Sequence, residues 1–365
     1  VVRYRIDGVL KDVMTLPREV HEGVVARVKV LSNLKLDEHR LPQDGRFKIE
    51  SDGYKVSFRV SILPVYDGEK IVTRLLREDA EGFTLESLGY SGTALEVLHR
   101  AIKKPTGLVL ATGPTGSGKT TTLYTILDIL NTPEVNISTI EDPIEYRMPR
   151  INQTQVKPDI GLTFANGLRT LVRQDPDIIM VGEIRDNETA GLAINASLTG
   201  HLVVSSLHTN DAVGAIPRLM DMKIEPFLIS STLSVVIAQR LVRCLCTESR
   251  EKYNLTKKEL ESLGKEINLD KVLKILRQEK IISAKDTWET IEFYRPKESD
   301  KCPKGYKGRM GIFEVLDVTT EIKDLINSSA SSEQLREKVE STGMITMLED
   351  GFMKAVQGLT SIEEV

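Results

Sequence analysis

The sequence predicts an α/β fold: a mostly parallel sheet covered by helices, preceded by a small α+β domain. Three observations carry this. From about residue 91 short apolar runs alternate with helically spaced segments, as βα units require. Residues 1–80 alternate with period two between turn dipeptides, around one helical stretch. Between residues 246 and 302 the βα rhythm stops in a segment rich in Lys and Glu. A length of 365 residues allows two or three domains.

In the first domain, Val1-Val-Arg-Tyr-Arg-Ile6 precedes Asp7-Gly8, a hairpin signal. Glu22 to Leu34 sets Val25, Val28 and Leu31 at helical spacing. Lys55 to Leu63 alternates Val56, Phe58 and Val60 with polar residues, and Glu69 to Leu76 follows Asp67-Gly68. Residues 81–90 show no periodicity and contain Gly82, Ser87 and Gly89, which suits a linker acting as a hinge.

The second domain spans 91–365. Leu108 to Ala111 leads into a glycine loop, and Lys119 to Leu130 continues as a helix. Ile137 to Ile140, Ile178 to Val181 and Leu202 to Leu207 are further buried-strand runs, with the helical segment Phe164 to Val172 between two of them. Residues 246–302 read as an inserted helical subdomain with helices at Lys257 to Leu263 and Leu269 to Leu276. A C-terminal helical part, 306–365, includes the run Gly311 to Leu316. In it Ser331 and Gln334 form a capping box ahead of Leu335 and Val339.

A formal charge of −4 and a pI near 5.9 argue against a chain that coats nucleic acid. Three cysteines, Cys244, Cys246 and Cys302, are too few for a disulfide scaffold, and their odd number fits a reducing compartment. The uncharged stretch Pro226 to Gln239 is shorter than the roughly 20 residues a bilayer helix needs. Thr189 to Asn210 is interrupted by Gly191, Asn195, Gly200 and His201, so no membrane span is expected. No secretory leader is read, and a first residue Val1 in place of Met suggests a piece of a longer protein.

Gly113-Pro114-Thr115-Gly116-Ser117-Gly118-Lys119-Thr120, with Thr121 following, fits G-x-x-x-x-G-K-[ST] in full, after a strand and before a helix. Glycines let backbone N–H groups turn inward around phosphate oxygens, Lys119 reaches the terminal phosphates, and the Thr120 hydroxyl ligates Mg²⁺. Asp177-Ile-Ile-Met-Val-Gly-Glu183 is an apolar strand ending in a carboxylate, as a Walker B segment requires. There Glu183 can serve the Mg²⁺ shell or orient water; by residues alone it can equally face solvent. Ile140-Glu141-Asp142-Pro143-Ile144-Glu145-Tyr146 gathers three acids that suit a solvated turn as well as catalysis. His208 beyond a third strand, and Arg59 and Arg74 on strands of the first domain, likewise admit exposed or functional readings.

These segments, with Thr199-Gly-His201 and His208-Thr-Asn-Asp211, stand in the order of the secretion ATPase superfamily, and nearly the whole chain resembles its type II secretion and type IV pilus assembly branch. Val1 to Gly8, Leu41-Pro-Gln-Asp-Gly-Arg46, Gln239-Arg-Leu-Val242, Gly305 to Arg309 and Leu348-Glu-Asp-Gly351 add to the match. The resemblance implies a PAS-like first domain and a RecA-like P-loop ATPase domain, six subunits in a ring, with ATP and Mg²⁺ between domains. Position by position it makes Lys119 and Thr120 the Walker A pair, Glu145 the residue that activates water and Glu183 the Walker B glutamate. His208 becomes a γ-phosphate sensor, and Arg59 and Arg74 the clamp on the nucleotide. It also implies a cytoplasmic protein peripheral to a bacterial inner membrane, working with a membrane platform protein.

That branch usually carries two C-x-x-C pairs holding zinc in the insertion. Here they read Cys246-Thr-Glu-Ser249 and Ser299-Asp-Lys-Cys302, and serine is a poor zinc ligand, which argues against structural zinc. The insertion itself favours assembly or secretion over retraction. Phe293-Tyr-Arg-Pro296 leans toward pilus assembly without separating it from secretion. Two rivals remain at this point. A nucleic-acid translocase would share the core, but the acidic balance and 5% aromatic content weigh against it. A nucleotide-gated scaffold with negligible hydrolysis is disfavoured by intact Glu145 and Glu183.

Overall fold

The structure, a computed structural model, describes residues 1–6, 9–51, 54–77, 83–302 and 304–365, except the side chains of 50, 51, 54, 55, 76 and 77. The expected turn at Asp7-Gly8 and Gly82 of the expected linker lie outside the described residues. The chain divides into two compact units, Val1–Gly82 with Ile144–Met148, and Phe83–Pro143 with Pro149–Val365.

The first unit begins with β1 (Val2–Ile6) and β2 (Val9–Met14), paired antiparallel. Helix α1 (His21–Leu31) follows, then a three-stranded antiparallel sheet of β3 (Gln43–Ser51), β4 (Tyr54–Val65) and β5 (Gly68–Arg77). The period-two pattern of β4 does what it predicts: Val60 and Ile62 are fully buried, while Arg59 and Ser61 take the other face. The helix departs from expectation. Val25 is buried, yet Leu31 is exposed and Lys29 takes a fully buried place. Its ammonium is held 2.7 Å from Glu69 Oε1 and donates to the Glu38 carbonyl at 2.7 Å. A buried cation paired this way replaces an apolar residue in the stripe, which spacing alone does not reveal.

The second unit opens with α2 (Leu85–Leu88), inside the stretch that shows no periodicity. Thr84 and Ser87 close a capping box around this single turn, too short to display a period. Helix α3 (Gly92–Ile102) leads to β6 (Gly107–Thr112) and α4 (Lys119–Leu130). Next come β7 (Ile137–Glu141), β8 (Ile151–Gln155), α5 (Phe164–Leu171), β9 (Ile178–Val181), α6 (Asn187–Leu198) and β10 (Leu202–Leu207). After α7 (Ala215–Asp221) and α8 (Pro226–Thr232), strand β11 (Leu233–Leu245) returns through the sheet.

The insertion supplies β12 (Glu251–Tyr253), α9 (Lys257–Leu263), α10 (Leu269–Gln278) and β13 (Phe293–Arg295). The chain then adds β14 (Tyr306–Asp317) and the helices α11 (Thr320–Asn327), α12 (Ser332–Ser341) and α13 (Met347–Val356). Seven strands form one sheet in the order β14-β11-β6-β10-β9-β7-β8, parallel except for β14 against β11. Leu108, Leu110, Val203 and Val236 on the strands pack with Leu168, Ile194, Ile216 and Ile229 on the helices in one core. Each such buried side chain contributes about 1.5–3 kcal/mol.

Two strands of this seven-stranded sheet have no counterpart in the sequence reading. β8 is an edge strand with only Ile151 buried, so it lacks an apolar pattern. The uncharged stretch Pro226 to Gln239 splits between α8 and β11, a division that the lack of charges does not mark. The insertion is not purely helical either: β12 and β13 pair antiparallel, and its core of Leu255, Val272, Leu276 and Phe293 is shared with Phe352 and Met353 of α13.

The cysteines require a correction. Cys246 and Cys302 form a disulfide, and Cys244 stands outside that bridge. Counting residues suggested reduced thiols, but folding brings these two Cα atoms to 6.4 Å across 56 positions, within bridging range. The two cysteines that this chain keeps of the branch's usual zinc pattern are thereby joined to each other. Ser249 instead donates to the Lys297 carbonyl at 2.8 Å, and Ser299 Oγ accepts from the Cys302 N–H at 3.2 Å.

Candidate functional site

In the second unit residues 113–118 bridge the end of β6 and the start of α4. Gly113, Gly116 and Gly118 have φ of +141°, +82° and +92°, a region that side chains with a Cβ avoid. At Gly113 space is decisive as well, because a Cβ would meet the Gln239 carbonyl at 2.4 Å. Lys119 folds over this loop and donates to the Gly113 and Pro114 carbonyls at 2.8 and 3.1 Å. Burial pushes its pKa down, and the charge of Glu183 counteracts part of that shift. Thr120 and Thr121 occupy the first turn of α4, where helix N–H groups and dipole favour an anion.

Glu183 and His208 leave the carboxyl ends of β9 and β10, where ligands bind in parallel sheets. The Glu183 segment is tied down from both sides. Gly182 donates to the Ile140 carbonyl at 2.8 Å, and Ser206 Oγ donates to the Gly182 carbonyl at 2.7 Å. One carboxylate oxygen of Glu183 lies 2.5 Å from Arg185, and the other lies 3.3 Å from His208 Nε2. The pair holds the Arg185 pKa above its ordinary value, chiefly through the hydrogen bond. Thr112, just before the loop, accepts from the Thr209 N–H at 2.9 Å and so links the His208 turn to β6.

Of the three acids at the end of β7 and just beyond it, Glu141 closes the strand and belongs to the interior. Tyr124 Oη donates to one of its oxygens, and Thr139 Oγ1 to the other at 2.5 Å. Glu145 falls in the first unit, with Arg59 and Arg74. There Arg74 lies 3.9 Å from the Glu145 carboxylate. Strand register sets Arg46 opposite Arg59, and Arg59 opposite Arg74, so three guanidinium groups share one row across β3, β4 and β5. Arg46 had no individual role in the sequence reading and Arg185 went unnoticed. The signal for Arg46 was register, which only the paired strands display. Lys119, Glu183 and His208 are thus gathered in one unit, and Arg59, Arg74 and Glu145 in the other.

Residues 1–365 match the family described as type II/IV secretion system protein. The chain belongs to that family. Its members include the type II secretion system ATPase E of Vibrio cholerae, 47% identical over 365 residues that make up all of this chain and 68% of the relative. The type II secretion system protein E of Xanthomonas campestris is 44% identical, with 61% of its length covered. The type IV pilus assembly ATPase PilB of Thermus thermophilus is 45% identical, with 39% covered. The chain therefore spans between two-fifths and two-thirds of the length of these family members. Among solved structures, the pilus retraction motor PilT with bound ADP is 27% identical at a TM-score of 0.65, over 99% of this chain and 88% of that one. The second unit has the RecA-like α/β fold of the family's ATPases, and by family the chain is an ATPase that uses a nucleotide.

Proposed function

We propose that the chain hydrolyses ATP with Mg²⁺ as one subunit of a homo-hexameric motor that drives type II protein secretion or type IV pilus assembly. The observation that carries this reading is the complete phosphate loop, Gly113 to Thr121, flanked by the paired Glu183 and His208 at neighbouring strand ends. Lys119 and the α4 N-terminus hold the phosphates, and the Thr120 hydroxyl with Glu183 serves the metal. Glu145 activates water, and His208 responds to the γ-phosphate. Arg59 and Arg74 close on the nucleotide when it binds and release it after hydrolysis, giving two states of different nucleotide affinity. The arginine row supports that role: like charges opposite each other in a sheet repel, and a polyphosphate anion relieves them. The ring passes the motion to a membrane platform protein, from the cytoplasmic side of the inner membrane. No described helix is long and apolar enough to cross a membrane, so a partner or another segment supplies that contact.

The test is phosphate release from ATP with and without Mg²⁺ and single-stranded DNA, alongside sedimentation with a non-hydrolysable ATP analogue. Mg²⁺-dependent release, indifferent to DNA, from a species of six chains is expected. Release that requires DNA, or a particle that stays monomeric with the analogue while hydrolysing at full rate, rejects the motor.

A further inference from the structure

Gln239 lies on β11 one residue beyond Ala238, which is in register with Thr112, the last residue of β6. The strand therefore delivers its side chain beneath the phosphate loop. It is buried, as are Ser117 of the loop and Thr122 of α4. Gln239 Nε2 donates to the Ser117 carbonyl at 2.8 Å, and Thr122 Oγ1 donates to Gln239 Oε1 at 2.9 Å. The amide orientation is unambiguous, because a carbonyl can only accept and so must face the NH₂ end. A Cβ on Gly118 would lie 3.1 Å from Gln239 Nε2, so the backbone passes directly over this amide.

From these contacts we infer that Gln239 is a positioning residue for nucleotide binding: it holds the Ser117–Gly118 peptide plane so that the Gly118 N–H faces the phosphates. In a planar trans peptide the C=O and N–H point in opposite directions. Capturing the Ser117 carbonyl on the β11 side turns the Gly118 N–H to the opposite side, into the concavity of the loop. Thr122, one turn into α4, locks the amide from the other end, so strand, loop and helix are fixed by one side chain. Without the amide a buried carbonyl loses its donor, and this peptide can flip. Gln239 touches no phosphate itself. The inference rests on the ATPase reading and deepens it.

The experiment measures the Kd of Mg²⁺ with a fluorescent ADP analogue, together with KM, kcat and thermal midpoint, for the parent, Gln239→Met and Gln239→Glu. Gln239→Met keeps the length and removes the donor. Its Kd and KM rise about tenfold, equivalent to 1.4 kcal/mol, with kcat changed less than threefold and the melting midpoint close to the parent's. In Gln239→Glu a protonated carboxyl can donate to the Ser117 carbonyl and an ionised one cannot. Its Kd relative to the parent therefore falls as pH drops from 8 to 6, a response that loss of packing alone does not produce. Parental Kd in the Met variant, or a pH-independent ratio in the Glu variant, overturns the inference. If neither variant folds, Thr122→Val decides: a Kd about threefold weaker supports the brace, and an unchanged Kd overturns it. A parent that binds no nucleotide sinks the ATPase reading instead, which keeps the two failures distinct.

Discussion

His208 Nε2 lies 3.3 Å from Glu183 Oε2, although the two residues follow different strands and stand 25 positions apart in sequence. The other oxygen of the same carboxylate holds Arg185 at 2.5 Å. On the proposed role, this carboxylate serves Mg²⁺ or water with its remaining lone pairs, and its negative charge is what that role needs. Glu183→Gln keeps the shape and removes the charge. Turnover should fall by about 10²–10³-fold, the scale of losing one preorganised charged contact, while a fluorescent ADP analogue still binds. Hydrolysis within tenfold of the parent in single-turnover assays rules out that role.

Lys119→Ala should raise the nucleotide Kd by at least about 100-fold, roughly 2.7 kcal/mol, and leave no measurable hydrolysis. Burial pushes the Lys119 pKa below the ordinary lysine value of 10.5. Its charge is therefore lost as pH rises through a lower range than for an exposed lysine. Titration calorimetry with ADP should show the parent weakening before pH reaches 10.5, with a flat profile in the Ala variant. The same weakening in both would assign the effect to another group.

The arginine row predicts a divergence between folding and function. Arg59 stands between Arg46 and Arg74 in register, so Arg59→Ala removes two like-charge pairings. Urea unfolding of the first unit's transition should be unchanged or improved by about 0.5 kcal/mol, while ATP turnover falls at least tenfold, roughly 1.4 kcal/mol. A variant that is destabilised yet fully active contradicts both halves.

Glu314 on β14 is buried and accepts from the Ala212 N–H at 2.8 Å. Desolvation raises its pKa, partly opposed by that hydrogen bond. A carboxyl whose folded pKa exceeds its unfolded value binds more protons when folded, so stability declines as pH rises between the two values and stays lower above them. Glu314→Gln retains an acceptor and removes this decline. Denaturation at pH 5 and pH 8 should show the variant gaining on the parent at the higher pH. An equal difference at both values excludes Glu314 as the source.

Cys246 and Cys302 close a loop across 56 positions. Thiol titration of the denatured, unreduced chain should find one reactive sulfur, that of Cys244, and three after reduction. Cys302→Ser should lower the unfolding free energy by about 4 kcal/mol on the loop-closure account, measured in urea against the unreduced parent. Three reactive sulfurs before reduction would remove the bridge from the protein.

The βα half was legible because fully buried parallel strands read as short apolar runs. Ile178 to Val181 and Leu202 to Leu207 appear with the bounds the sequence suggests. The capping box at Ser331 was legible too, since it depends on residues three apart. β8 was not, because an edge strand needs no apolar run. The buried Lys29 was hidden because its partner, Glu69, is 40 positions away.

The sequence by itself determined the phosphate loop, for its chemistry resides in eight consecutive residues whose backbone freedom is local. It also determined the family, through motifs read in order. Only the tertiary structure decided that Cys246 meets Cys302, that Glu141 is interior while Glu183 reaches His208, and that Gln239 sits beneath Ser117. Such contacts are set by strand order and register across the sheet, quantities that depend on every buried side chain at once.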